Sequence, residues 1–452
     1  MYIKAFLFAG VACCGTSLWA FSSIITDTKT EQDETTGAVT VTYKLTGEDA
    51  VITADVQTNS VQNKAWASIG PVNYTGMTGD VWKKVVADGS VRTISWPALA
   101  DGETKPPKFD KHVRVVLTAW STKAPPDFFV IDLTKEEVPA FYTHEVLLPY
   151  GGSVQNQAYK DRYLLMKRIH AAGITWMMGN DPVAKKQVST SYQRATDYAH
   201  PVVLTHDYYI GVYELTKAQR NRIENEAVPD ASPRVAENFL GFCTLRGQTD
   251  GVKYPVFTDG KFDYLESAKV DSGSVIANLR AKADNEFLFD LPTWAQWEFA
   301  ARAGSRSVLP DGVAYTQANT EKYARVSSNK GTADCEGLKG NIATVGSYLA
   351  NGFGLYDVLG NVSEATLDRL ANDYVASPTK TYAYPWLYPA DEVTVDPIGG
   401  TDTAVNSRAY FAGCYDQDWN NAYIGRWQNA ISWTDMKWSY GYLGARIALT
   451  LR

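Results

Sequence analysis

The chain has 452 residues, of which 45% are hydrophobic and 21% are charged, and this balance is typical of a globular protein with a substantial core. Its 43 Lys and Arg residues against 50 Asp and Glu residues give a formal net charge of −7, without the basic excess that marks a nucleic-acid-binding surface. After the N-terminal segment, no stretch approaches the roughly 18 consecutive apolar residues of a membrane span. We therefore expect neither a nucleic-acid partner nor a transmembrane segment in the mature protein.

The first residues of the chain have the composition of a secretory signal. Lys4 supplies a positive charge, and residues 5–20 are almost wholly apolar or small. We assign residues 1–22 to this signal, with cleavage expected after Ala20, and we expect export to the periplasm, the cell surface or the extracellular space. A lipoprotein signal, cleaved before either of the two cysteines in this segment, is the alternative.

Three cysteines remain after removal of the signal, namely Cys243, Cys335 and Cys414. An odd number allows at most one internal disulfide in an oxidising compartment, and the sequence leaves open whether Cys243 pairs with Cys335 or with Cys414. The alternative interpretation is that all three are small buried hydrophobic residues. In neither case do disulfides form the framework of this protein.

Residues 23–135 have the pattern of a small β-sandwich. Residues 38–45 and 50–56 alternate between apolar and polar side chains, with a turn between them. Further candidate strands cover residues 93–96, 112–120 and 128–133. Short alternating strands with breaks that contain Gly or Pro are typical of an immunoglobulin-like sandwich. Residues 136–164 are predicted to be a connector.

Two short helices are predicted in residues 165–452, which otherwise contain few long regular elements. Residues 216–219 and 293–296 each have the Thr-x-x-Gln spacing of a capping box, in which the two side chains bond free backbone N–H groups at a helix start. In the second helix, Glu298 and Arg302 have the i, i+4 spacing of an ion pair. The composition of this part predicts an irregular α+β domain.

Several segments of this second domain resemble, in order, the motifs of one family. They are residues 176–179, 208–216, 291–304, 351–364 and 443–449. The most specific are Leu-Pro-Thr-Trp-Ala-Gln-Trp-Glu-Phe-Ala-Ala-Arg and Gly-Asn-Val-Ser-Glu. These segments are similar to the formylglycine-generating enzyme family, also called the sulfatase-modifying factor family. The resemblance implies an α+β domain that is a variant of the C-type lectin fold, placed after the N-terminal β-sandwich.

The catalytic residues of that family are absent from the matching positions. The oxidases of the family bind copper through two cysteines, and soft thiolate ligands select Cu(I). Aligning residues 425–429 with the family motif places Asp418 and Tyr423 at those positions, and neither side chain can replace a thiolate. The five histidines, the last of which is His206, lack the His-x3-His-x-Glu spacing of an iron-binding sister branch. We therefore assign no catalytic residues and do not expect copper.

The resemblance also implies a structural calcium site. In the family, the Gly-Asn-Val-x-Glu segment holds Ca²⁺ through the Asn and Glu side chains and backbone carbonyls. The candidate ligands in this chain are Asn361, Val362 and Glu364. Hard oxygen ligands from an irregular loop suit Ca²⁺. The alternative is a loop held by ordinary hydrogen bonds.

Residues 408–442 combine many aromatic side chains with amides and carboxylates. Ring faces that stack, next to polar groups that fix orientation, are typical of sugar and peptide recognition, and in the family this region lines the groove that receives the substrate peptide. We predict a ligand-binding groove formed by Trp419, Asn420, Asn421, Tyr423, Arg426 and Trp427. The alternative is that many of these rings pack an irregular core.

These features predict an exported protein of the cell envelope whose C-terminal domain binds a glycan, a peptide or a protein and lacks the copper cysteine pair. One alternative is a formylglycine-type oxidase or another metal-dependent modifying enzyme. Another is a structural subunit or a diversified display protein of a surface assembly, with residues 416–440 as the display segment. The sequence leaves oligomerisation open.

Overall fold

The computed structural model describes the chain in segments. They are residues 23–60, 64–69, 76–97, 108–122, 124–134, 139–150, 152–180, 199–228, 234–237, 242–247, 256–258, 261–263, 270–283, 285, 287–369, 393–397, 408–411, 413–428 and 442–451. The predicted signal at residues 1–22 and the side chains of Cys243 and Trp427 lie outside this description. Contacts divide the chain into two compact units, the first formed by residues 1–130 and 138–156 and the second by residues 131–137 and 157–452.

The described part of the chain up to residue 156 is built from short strands. They are β1 (Ile24–Gln32), β2 (Val39–Thr46), β3 (Ala50–Thr58), β4 (Ala67–Ser68), β5 (Thr78–Gly79), β6 (Lys83–Val85), β7 (Val91–Trp96), β8 (Val113–Ser121), β9 (Phe128–Asp132) and β10 (Ala140–Tyr142). One sheet of the sandwich has the order β1-β2-β7-β5, and the other is built around β3, which pairs with β4, β6 and β8. All of these pairings, and that of β9 with β10, are antiparallel.

Strand β2 shows why the first unit folds as a sandwich. Val39, Val41, Tyr43 and Leu45 are buried, whereas the residues between them are partly or fully exposed. One face of the strand therefore joins the core while the other meets solvent, as expected for an antiparallel sheet with one wet face. The strands predicted at residues 38–45, 50–56, 93–96, 112–120 and 128–133 are confirmed by β2, β3, β7, β8 and β9.

The second unit mixes short helices with small sheets. Its strands are β11 (Tyr163–Ile169), β12 (Thr175–Met178), β13 (His200–Val203), β14 (Tyr208–Gly211), β15 (Val256–Thr258), β16 (Lys261–Asp263), β17 (Ala324–Arg325), β18 (Leu359–Gly360), β19 (Ser363–Arg369), β20 (Thr394–Val395), β21 (Arg408–Phe411), β22 (Trp427–Gln428), β23 (Leu443–Gly444) and β24 (Ala448–Thr450). Its helices are α1 (Lys217–Ile223), α2 (Phe242–Arg246), α3 (Val275–Lys282), α4 (Trp294–Arg302) and α5 (Gln317–Tyr323). In the portion of the chain described, no helix is long and apolar enough to cross a membrane.

The sheets of the second unit bring distant segments together. One has the order β11-β14-β24, a second β12-β13-β20, and a third β22-β21-β19-β23. Strands β19 and β23 of the third sheet come from two of the motif segments and run parallel to each other. The whole arrangement confirms the predicted class, an N-terminal β-sandwich followed by an irregular α+β domain.

Helix α4 begins and ends where the sequence predicts. Thr293 accepts a hydrogen bond from the backbone N–H of Gln296, and the Gln296 side chain accepts one from the backbone N–H of Thr293, which confirms the capping box. The same arrangement at Thr216 begins helix α1. Helix α4 ends at Ala303, whose φ of 46° is left-handed. Every residue of α4 is buried, so polar groups on this helix need partners inside the protein.

Candidate functional site

A fully buried ion pair joins two of the motif segments. The Arg446 guanidinium donates to the Glu364 carboxylate, with an Nη2–Oε1 distance of 2.8 Å and an Nε–Oε2 distance of 3.0 Å. The indole Nε1 of Trp297 donates to Glu364 Oε2 at 2.7 Å. Arg446 further donates to the backbone carbonyls of Gly211, Val212 and Tyr356. Because these bonds reach Glu364 on β19, Gly211 at the end of β14 and the loop that contains Tyr356, the pair acts as a structural crosslink between these segments and the C-terminal strands.

The other two predicted calcium ligands are held by Glu214. Asn361 Nδ2 donates to Glu214 Oε2 at 2.6 Å, and the Val362 N–H donates to Glu214 Oε1 at 3.1 Å. Asn361 Oδ1 accepts from the Ala343 N–H at 2.9 Å. Because this amide oxygen is engaged and the Glu364 carboxylate faces a guanidinium, these side chains do not form the open set of oxygen ligands that Ca²⁺ requires. Calcium binding at this segment stays a prediction, and the arrangement argues against it.

Two buried carboxylates near Arg446, those of Glu214 and Asp357, have raised pKa values. Burial, together with the neighbouring charges of Asp357 and Glu364, raises the pKa of Glu214 well above its usual value. Burial also raises the pKa of Asp357 to about 6. Asp357 Oδ2 accepts from the Gly346 N–H at 2.6 Å, whereas its Oδ1 has no hydrogen-bond partner in the described part of the structure. Asp357 is therefore poorly compensated when it is ionised.

Asp357→Asn is expected to remove a pH dependence of stability. Because folding raises the pKa of Asp357 from 3.8 to about 6, the native state binds this proton more tightly, and the contribution of Asp357 to stability falls as the pH rises through that window. At about 1.4 kcal/mol per pKa unit, the loss is on the order of 3 kcal/mol. Urea unfolding at about pH 4 and about pH 7 measures the free energy of unfolding of both proteins. The stability of Asp357→Asn relative to the wild type should be higher at about pH 7 than at about pH 4.

Asp334→Asn is the control with the opposite sign. Burial alone would raise the pKa of Asp334, but the backbone N–H groups of Thr344, Leu338 and Glu336 donate to its carboxylate and hold the pKa below its usual value. Its stabilising contribution is present at neutral pH and is lost as the pH falls. If the difference in unfolding free energy between Asp357→Asn and the wild type does not change with pH, the pKa of Asp357 is not raised by folding.

A second buried ion pair lies on helix α4. Glu298 Oε1 accepts from Arg302 Nε at 2.8 Å and from the Gly179 N–H at 2.7 Å, and Oε2 accepts from Trp294 Nε1 at 2.8 Å. The predicted Glu298–Arg302 pair is thus confirmed. Gly425 lies directly against it, at a φ of 83°, and a Cβ atom there would come within 3.0 Å of Arg302 Nη2. The pair therefore anchors the chain within the predicted groove segment, between Tyr423 and Arg426.

Three of the predicted groove residues are partly exposed in the structure. Trp419, Asn420 and Arg426 are each half-buried. The Trp419 ring centroid lies 5.2 Å from that of Tyr315, a neighbour that the sequence did not predict. Asn420 Oδ1 is buried and has no hydrogen-bond partner among the residues described.

Two further groove residues, Tyr423 and Asn421, have internal roles in this structure. Tyr423 is 1% exposed and packs against Val308. Asn421 is buried, and its Oδ1 accepts a hydrogen bond from Arg426. The Arg426 guanidinium lies 5.9 Å from the centroid of the Tyr423 ring. Tyr423 and Asn421 therefore position Arg426 instead of facing solvent.

The residues at the copper-ligand positions do not fit a copper site. Asp418 is exposed and accepts from Ser327 Oγ at 3.0 Å, while Tyr423 is buried. Cys414 is buried, and burial raises the pKa of its thiol to about 11, which disfavours the thiolate that copper needs. In the segments that the structure describes, no group of three or more His, Cys, Asp and Glu residues is arranged to hold a metal.

The sulfatase-modifying factor enzyme 1-like domain family matches residues 172–413, more than half of the chain. The protein belongs to this family. The family assignment predicted from the motif segments is confirmed. Glu298, Arg302 and Glu364 lie within the matched residues, whereas Arg446 follows them.

Individual relatives are distant. The chaperone protein LppX of Paenibacillus barcinonensis is 28% identical over 187 residues, which are 37% of this chain and 65% of LppX, so the match spans just under two thirds of that relative. Treponema denticola variable protein 1 has 20% identity and a TM-score of 0.39, with 64% of this chain and 95% of that chain covered. PvdO from Pseudomonas aeruginosa has 18% identity and a TM-score of 0.37, with the same coverages.

The sulfatase-modifying factor domain also contains a cavity that was not predicted. Its volume is about 440 Å³, and its lining residues include Asp334, Cys335, Ser347 and Tyr348. Cys335 is exposed, and Ser347 Oγ donates to its Sγ at 3.2 Å. The interpretation that all three cysteines are buried is therefore wrong for Cys335, although Cys414 is buried, and both are free thiols. The acidic neighbours Asp334 and Glu336 were the sequence signal for an exposed turn.

Proposed function

We propose that the sulfatase-modifying factor domain is a binding module that recognises an extended peptide or a glycan through the surface around Trp419. The observation that carries this proposal is the buried, unpaired Oδ1 of Asn420 beside the Tyr315–Trp419 pair. Buried polar atoms are nearly always hydrogen-bonded, and leaving one unpaired costs about 1–3 kcal/mol. We infer that the Asn420 side chain turns outward on binding, so that an N–H or O–H group of the ligand satisfies this oxygen while the apolar part of the ligand stacks on the two rings.

The remaining chemistry of this surface suits a polypeptide. Arg426 is held at this surface by Asn421 and Tyr423, and a guanidinium suits acceptors such as a peptide carbonyl or carboxylate. The distant relative LppX is named a chaperone, which favours a protein ligand over a glycan. In this proposal, residues 1–22 direct export to the cell envelope and the N-terminal sandwich serves as a spacer or attachment unit.

Substitutions at Asn420 and Trp419 are expected to separate binding from stability. Asn420→Leu removes an oxygen that has no partner in the free protein, so the unfolding midpoint should stay unchanged or rise. Binding should weaken about tenfold or more, because the contact to the ligand is lost. Trp419→Ala should weaken binding at least as much, since buried aromatic anchors dominate recognition surfaces.

The measurement is binding of the mature protein to a peptide array and a glycan array, followed by titration of the best hit. Trp66→Ala, at a half-buried tryptophan in the N-terminal sandwich, is the matched control and should bind as the wild type does. Equal binding by Asn420→Leu and the wild type would refute the proposed site. Hits confined to the glycan array would show that the ligand is a glycan and not a peptide.

Elemental analysis of the exported protein, purified without chelator, tests the enzymatic alternative and calcium binding together. Copper or iron near one per chain, with oxygen consumption in the presence of a cysteine-containing peptide, would favour a metal-dependent modifying enzyme over a binding module. Stoichiometric calcium would support the site predicted at Asn361, Val362 and Glu364 against the argument from their hydrogen bonds. A large assembly on sizing would favour the structural or display role.

A further inference from the structure

Strand β8 is an edge strand of the N-terminal sandwich. It pairs with β3 without interruption over nine positions, from Val113 opposite Thr58 to Ser121 opposite Ala50. In the described residues, no strand pairs with its other edge. Strand β1 passes near β8 but forms no bridge with it. As far as the described residues extend, the outer edge of β8 therefore offers a row of backbone groups to a further strand.

The hydrogen bonds around β3 show which residues of β8 face outward. The Asn59 N–H donates to His112 O at 3.0 Å, so even-numbered positions of β8 point their backbone groups at β3, because such pairs alternate along an antiparallel ladder. Ile52, opposite Ala119, accordingly uses its carbonyl to accept from the Trp82 N–H on the far side of β3. It follows that Val115, Leu117 and Ala119 direct N–H and C=O away from the sheet.

The edge of β8 lacks the features that normally protect an edge strand. Strand β1, at the edge of the other sheet, carries three charged residues in nine, a shift in register between Thr26 and Lys29, and a left-handed φ at Asp27. Strand β8 has one charged residue, Arg114, and an unbroken register. Its apolar side chains are half-buried along its length. Charges and bulges block edge pairing, and β8 has almost none.

We propose that β8 pairs with β8 of a second copy of this chain, antiparallel, across a two-fold axis at Leu117. A two-fold interface must be complementary to itself, and this register satisfies that condition. It places Val115 opposite Ala119, and it places Arg114 opposite Trp120. The Arg114 guanidinium stays bonded to Gln57 and stacked on the Trp66 ring of its own chain, and in this register no like charges face each other. An axis at Arg114 would instead oppose two guanidinium groups and shorten the ladder.

The test is the oligomeric state of the mature full chain by sedimentation velocity from about 1 to about 100 µM. The wild type is expected to form dimers over this range. Leu117→Lys sets two ammonium groups against each other at the axis and should weaken dimerisation about tenfold or more. Ala119→Pro removes an outward N–H without touching the ladder to β3 and should have the same effect.

Thr118→Lys is the matched control. It adds the same charge to the same strand at an exposed residue, but in the proposed register it faces Val116 of the second copy, so the dimer should persist. Circular dichroism and the unfolding midpoint report whether each variant is folded. A wild type that stays monomeric to about 100 µM, or a dimer that withstands both Leu117→Lys and Ala119→Pro, would overturn the proposal. Neither outcome bears on the ligand site around Trp419.

Discussion

Arg446→Met is expected to lower the free energy of unfolding by about 3–5 kcal/mol. Methionine keeps an unbranched apolar chain of similar length but leaves the buried Glu364 carboxylate without its guanidinium. Glu214 and Asp357 lose the same cation. The positive charge of Arg446 favours their ionised forms in the native state, so its removal adds to the loss of stability. Three backbone carbonyls lose a donor as well. Denaturant unfolding at neutral pH measures the change.

Two controls separate a buried-charge effect from general disruption. The double variant Glu364→Gln with Arg446→Met removes both charges of the pair and should recover part of the lost stability, because no ionised Glu364 then remains unpaired. Lys44→Met breaks the exposed ion pair with Asp27 and should change stability by less than about 1 kcal/mol. If Arg446→Met lowers stability no more than Lys44→Met does, the buried Glu364–Arg446 pair does not stabilise the domain.

Glu298→Ala is expected to cost about 3–4 kcal/mol in unfolding free energy. The carboxylate is fully buried and satisfies the Arg302 guanidinium, the Trp294 indole and the Gly179 N–H at once. Alanine leaves all three donors unpaired and also creates a cavity. Because Gly425 packs against Arg302, we also expect faster hydrogen exchange in the segment that contains Trp419 and Arg426.

Glu298→Gln tests which part of the interaction matters. Glutamine preserves the shape and one acceptor oxygen but not the charge. The unfolding free energy of Glu298→Gln should therefore lie between those of the wild type and Glu298→Ala. If Glu298→Ala changes stability by less than about 1 kcal/mol, the side chains around it must repack, and its motif has no structural role of the kind described. Equal losses for both variants would show that the charge carries the whole effect.

Local structure in this protein was predictable from short stretches of sequence. The alternation in β2 and β3 follows from the two-residue period of a strand, and the capping boxes at Thr216 and Thr293 follow from contacts across one helical turn. The Glu298–Arg302 pair spans four residues of one helix and was predicted for the same reason. The motif segments also identified the family, because their order along the chain is itself information.

Part of the candidate site was predictable and part was not. The stretch 408–442 was recognised as unusual by composition, and Trp419, Asn420 and Arg426 keep enough exposure to bind a ligand. Composition could not distinguish Trp419 from Tyr423, which is buried, because large amphipathic aromatic side chains serve equally in cores and on surfaces. Nor could it predict Tyr315, the partner of Trp419, which lies 104 residues earlier.

The sequence by itself determined the strands of the sandwich, the starts of helices α1 and α4, and the family of the second domain. Only the tertiary structure decided that Glu364 pairs with Arg446, 82 residues away, and that Glu214 holds Asn361, 147 residues away. A buried charge must find a partner inside the protein, but which partner it finds depends on how the sheets bring distant segments together. For that reason the residues that looked like calcium ligands in the sequence lie, in the fold, within an internal network of hydrogen bonds and ion pairs.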